Sequence, residues 1–122
     1  MPASVATSCS SASVPNIVAS GSFVNETNSL SATTIFTPSE NGLYRISIYG
    51  EGEDSESEPH VSAQLTYSDD FNSDYPVDFN LNTPISLAYV ARLTASNPVQ
   101  LSATINSGSP TYDLYYTIEQ LQ

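Results

Sequence analysis

From Ile17 to the end of the chain, apolar side chains recur at every second position in short stretches, a period that admits β-strands and excludes amphipathic helices. The clearest stretch is Leu43–Tyr49, where Tyr44, Ile46 and Ile48 share one face. Leu43, Arg45, Ser47 and Tyr49 share the other, so this strand is expected to be half buried. Further inward sets are Val61, Ala63, Leu65 and Tyr67, then Val77, Phe79 and Leu81, then Ile85, Leu87, Tyr89, Ala91 and Leu93. Val99, Leu101, Ala103 and Ile105 follow, and Tyr112, Leu114, Tyr116 and Ile118 close the series. Two earlier strands are expected at about Ile17–Val24 and Ser31–Phe36.

Turn chemistry separates these stretches. Pro38-Ser-Glu-Asn-Gly42 combines a proline that presets φ with a glycine that tolerates positive φ. Asn82-Thr-Pro84, Ser96-Asn-Pro98 and Asn106-Ser-Gly-Ser-Pro110 punctuate in the same way. The pattern predicts an all-β fold: one eight-stranded antiparallel β-sandwich, a jelly roll, over residues 17–122. Residues 1–16 are uncharged, rich in Ala, Ser, Thr and Val, and aperiodic, and they read as an extended N-terminal arm. A chain of 122 residues suits a single domain, since one core of this size buries roughly 65% of the unfolded surface.

Charge restricts the partners. Thirteen acids stand against Arg45 and Arg92, with no lysine, for a formal net charge of −11. Nucleic acid and anionic membranes need cationic footprints, so neither is an expected partner. No run approaches the length of a membrane span, and the N-terminal residues lack the basic and apolar regions of a signal peptide, so synthesis in a cytoplasm is expected. Only 12% of residues are charged, which leaves a surface made largely of hydroxyl and amide groups.

Catalytic chemistry finds little support. Cys9 is the sole cysteine, so no disulfide can form within the chain, and one Cys with the sole histidine, His60, offers no zinc-ligand spacing; no Gly-x-Ser-x-Gly elbow is present, and His60 reads as a surface histidine at a loop edge. No cofactor and no enzymatic activity are expected. Glu51-Gly-Glu-Asp-Ser-Glu-Ser-Glu58 and Ser68-Asp-Asp-Phe-Asn-Ser-Asp74 read as acidic loops. Hard oxygen ligands suit calcium, which makes Asp69, Asp70 and Asp74 a weak candidate site, although the EF-hand spacing is missing and a like-charge run is ordinarily solvated. Asn25-Glu-Thr27 matches the glycosylation pattern, which carries little weight without a signal peptide.

Aromatic placement is more informative. Tyr115 falls on the face opposite Tyr116, and Tyr49, Arg45 and Arg92 also point away from their strands' inward sets. These four residues are candidates for a subunit interface, each arginine pairing with a carboxylate of another subunit, and the tyrosines equally suit a sugar platform.

Thr34-Ile-Phe-Thr-Pro-Ser-Glu-Asn-Gly42-Leu-Tyr44-Arg-Ile-Ser-Ile-Tyr49 resembles the strand–turn–strand of trimeric jelly rolls of the C1q/tumour-necrosis-factor type. The closing segment Gly108–Gln122 resembles the last strand of small proteins encoded in phage-like gene clusters. As a whole the chain is similar in kind to phage capsid decoration (cement) proteins. That resemblance implies a homotrimer on the outer capsid surface of the virion, bound to the major capsid protein and stabilising the head. The second reading is a carbohydrate- or receptor-binding head of a phage fibre or tail protein, and a glycan-cleaving enzyme ranks last.

Overall fold

A computed structural model describes residues 16–53, 61–69, 74–81 and 84–122. The arm over residues 1–15, Cys9, His60 and Asp70 lie outside the described residues. Eight strands are present: β1 (Asn16–Glu26), β2 (Leu30–Phe36), β3 (Gly42–Glu53), β4 (Val61–Ser68), β5 (Asp74–Asn80), β6 (Ile85–Leu93), β7 (Val99–Ile105) and β8 (Thr111–Gln120). They form two antiparallel sheets, in the orders β1-β8-β3-β6 and β2-β7-β4-β5. Every connection crosses from one sheet to the other except β4 to β5, a hairpin within one sheet. This is the double Greek key of a jelly roll, as the alternation and turn spacing predict.

The inward sets supply the core. Tyr44, Ile46 and Ile48 of β3 and Leu114 and Ile118 of β8 meet Val61, Ala63 and Leu65 of β4 and Val99, Leu101 and Ala103 of β7. Each strand contributes alternate residues because the pleat sends successive side chains to opposite faces. Burying this apolar surface supplies the favourable term that offsets the ordering of the chain.

Besides small extensions of β1 and β2, strand limits differ from the sequence expectation most at two places. The acidic stretch Glu51–Glu53 belongs to β3, where Glu51, Gly52 and Glu53 pair with Asp113, Tyr112 and Thr111. Alternation fails as a guide there because the inward positions are glycines. A Cβ on Gly50 would lie 2.7 Å from Leu81 Cδ2 and 2.9 Å from Leu114 Cδ2, and one on Gly52 would run into the Leu81 carbonyl oxygen. Leu81 therefore fills the space that a side chain on either glycine would need. At the second place, β5 begins at Asp74, opposite Ser68, and Asp69 forms an isolated bridge to Leu93.

Two tyrosines tie connections to the sandwich. The Tyr44 hydroxyl donates to the Glu40 carbonyl at 3.2 Å, and the Tyr112 hydroxyl donates to the Asn28 carbonyl at 2.6 Å. Both side chains are almost completely buried, so each hydroxyl needs such a partner.

Candidate functional site

The outer face of the β1-β8-β3-β6 sheet is built by the residues that the inward sets leave over. Its register runs in rows across the strands: Ile17, Glu119, Arg45 and Val90 in one, Ser20, Thr117, Ser47 and Ala88 in the next, and Ser22, Tyr115, Tyr49 and Ser86 in the third. Glu51 and Asp113 follow beyond Tyr49 and Tyr115, and Leu43 and Arg92 pair beyond Arg45. The four residues singled out from the sequence, Tyr49, Arg45, Arg92 and Tyr115, thus share one surface.

Small side chains in the middle row leave the tyrosines standing proud. The Tyr49 and Tyr115 rings lie 6.1 Å apart at 44°, a tilted cross-strand pair. A shallow hollow of about 140 Å³ beside them is lined by Ser47, Ser86 and Thr117. The Tyr49 hydroxyl donates to Glu51 Oε2 at 3.3 Å. Partial burial, followed by the charge of Glu51 and the hydrogen bond to it, raises the Tyr49 phenol above its usual 10.0.

Ile17, Val24, Tyr49, Val90 and Tyr115 are the large hydrophobic side chains left exposed among the described residues, between 41% and 63%. Ile17, Tyr49, Val90 and Tyr115 occupy the rows above, and Val24 alternates with the core-packed Phe23 toward the same side. Sequence reasoning missed Ile17, Val24 and Val90. An isolated apolar residue at an outward position is a common event, and only the register shows that these gather on one face. Arg45, expected to pair between subunits, finds a carboxylate within the chain: its Nη1 donates to Glu119 Oε1 on β8 at 3.2 Å.

The other outer face, on β2-β7-β4-β5, is polar. Gln64 donates to Asp78 at 2.8 Å, Gln100 to Thr34 at 3.3 Å, and Asn106 to Ser62 at 3.2 Å. A hollow of about 200 Å³ there is lined by Ser62, Gln64, Asp78, Ser102 and Thr104.

Among the described residues, no group of three or more His, Cys, Asp or Glu is placed to hold a metal ion. Of the weak calcium candidate, Asp69 bridges Leu93, Asp74 opens β5 and Asp70 lies outside the described residues. No helix among the described residues is long and apolar enough to cross a membrane.

No protein-family model and no curated protein matches the chain. Solved structures do. The PRD1 vertex protein P5 superposes with a TM-score of 0.62 at 10% identity, over 89% of this chain and 99% of that one. The CBM22-1 xylan-binding domain of Paenibacillus barcinonensis Xyn10C superposes with a TM-score of 0.50, also at 10% identity, over 90% and 97% of the two chains. What the chain shares with both is the fold, an all-β jelly-roll sandwich that occupies nearly the whole of each neighbour.

Proposed function

We propose that this chain is a structural virion protein, a capsid decoration protein that sits on the outside of a phage head and stabilises it through protein–protein contact. The observation that carries the reading is the outer face of β1-β8-β3-β6, which gathers the exposed large hydrophobic residues together with both arginines. A surface with apolar centres, tyrosines and arginines is the composition that protein interfaces favour. The outer face of the other sheet is made of hydroxyls and amides with Asp78 of β5, a polar surface suited to face solvent. The similarity of fold to a phage vertex protein fits this reading. The test is to add purified protein to heads that lack it and follow their survival on heating. Protection lost in a Val90→Asp, Ile17→Asp variant supports the reading; no binding and no protection rejects it.

A second reading is favoured by one specific observation, the exposed Tyr49–Tyr115 pair beside a hollow lined by hydroxyls. Aromatic faces stack on the apolar face of a sugar ring, while hydroxyls and Glu51 meet its polar edge. A xylan-binding domain among the structures of similar fold fits this alternative. A glycan array, run with and without calcium and repeated with Tyr49→Ala, decides it: silence throughout removes it.

A further inference from the structure

Parity sends Val61, Ala63 and Leu65 of β4 and Val99, Leu101 and Ala103 of β7 into the core. Ser62, Gln64 and Thr66 are left facing outward, paired with Thr104, Ser102 and Gln100. Asn80, Asp78 and Pro76 of β5 extend these three rows on one side, and Thr34 of β2 meets Gln100 on the other. Although they point outward, Ser62, Gln64, Thr66, Gln100 and Ser102 are half-buried, as the floor of a trough would be. Two hollows lie on this floor. One, of about 200 Å³, contains the Gln64–Ser102 row. The other, of about 310 Å³, contains the Thr66–Gln100 row and is closed by Asn97 and Pro98. The rows are neighbours, so the hollows follow one another along β4 and β7. From Ser62 to Ser68 the trough runs about 20 Å at the rise of an extended strand.

We propose that this trough is a binding site for an uncharged, linear oligosaccharide laid along β4 and β7. Three observations choose that ligand. First, the lining is made of hydroxyls and amides, which both donate and accept, as the hydroxyls of a sugar ring do. Second, two of the amides are held in place before any ligand arrives. Gln64 Nε2 donates to Asp78 Oδ1 at 2.8 Å, and Gln100 Nε2 donates to Thr34 Oγ1 at 3.3 Å. Each bond engages one N–H of a group that has two and an oxygen besides, so the side chain is oriented while the rest of its amide can serve a ligand. Such fixing lowers the ordering cost of binding. Third, charge selects against anions. Arg45 and Arg92 both lie on the other sheet, and the trough carries Asp78 in a chain of −11, so phosphates and acidic glycans are repelled.

A protein partner suits the trough less well. Protein interfaces centre on aromatic and apolar anchors, and the exposed ones gather on the opposite face. The length of the trough favours a chain of several linked rings over a compact small molecule. The site lies on the other side of the sandwich from the Tyr49–Tyr115 pair, so the inference stands apart from both readings above, and the trough stays open when that face is covered.

Titration of the full chain with neutral glucose, mannose and galactose oligosaccharides of increasing length, followed by amide and side-chain NH₂ chemical shifts, tests the proposal. The expected result is a set of shifts centred on Gln64, Gln100 and Ser102, with affinity that rises with length until the trough is filled. Gln64→Ala and Gln100→Ala should each weaken binding roughly tenfold while thermal melts stay close to those of the parent. An oligosaccharide of the same length bearing carboxylates should bind more weakly than its neutral counterpart. The absence of shifts with every neutral oligosaccharide overturns the proposal. So do shifts confined to β3 and β8 around Tyr49 and Tyr115, or an affinity that neither glutamine variant alters.

Discussion

The hydroxyl of Tyr112 on β8 donates a hydrogen bond of 2.6 Å to the carbonyl of Asn28, in the turn between β1 and β2. One buried side chain thereby fixes the connection by which the chain first crosses from one sheet to the other. Removing the hydroxyl in Tyr112→Phe leaves the ring packed and the Asn28 carbonyl without that donor. A loss of about 1–2 kcal/mol is expected, read as a lower urea midpoint with an unchanged slope.

Alkaline pH should act through the same residue. Burial, with Glu26 adding to it, raises the Tyr112 phenol above 10.0, and burial with Glu40 does the same for Tyr44. In this range the folded state holds its phenolic protons more tightly than the unfolded chain. The stability they contribute is complete below about pH 10 and is lost as pH climbs through the raised values. Urea midpoints should therefore be insensitive to these groups up to about pH 9 and fall above pH 10, and the fall should shrink in Tyr112→Phe.

Two glycines separate a fixed obstacle from a yielding one. A Cβ at Gly52 meets the backbone carbonyl of Leu81, whereas a Cβ at Gly21 meets the hydroxyl end of Tyr116 at 2.6 Å. Backbone cannot step aside and a side-chain tip can. Gly52→Ala should cost about 1–3 kcal/mol or more, and Gly21→Ala distinctly less, by thermal melts of the two variants side by side.

The Arg45–Glu119 pair is partly exposed, at 41% and 25%, which limits what it contributes. A double-mutant cycle through Arg45→Ala and Glu119→Ala should return a coupling of about 0.2–1 kcal/mol that diminishes in high salt. A larger value would mean that the outer face is covered by protein in solution.

Most of the fold was legible because each inward set repeats every two residues with large apolar side chains. Tyr44, Ile46 and Ile48 announce β3, and Leu114 and Ile118 announce β8, by parity alone. The signal stops where the inward residue is glycine, which is why Glu51–Glu53 read as loop: the partner that fills the gap, Leu81, is remote in sequence. The outward directions of Tyr49, Arg45, Arg92 and Tyr115 also follow from parity. Their common surface does not, since it depends on β3 lying between β8 and β6, and strand order is set by long-range packing.

The placement of Asn16 directly opposite Gln120 has a mechanical meaning. A tension applied between these two residues pulls β1 and β8 away from each other, starting at one end. The hydrogen bonds then break in succession, as in opening a zipper, instead of resisting together in shear. An anchor attached through both ends of the sandwich would give way at low force. A grip on the sheet's outer face bypasses that weak line.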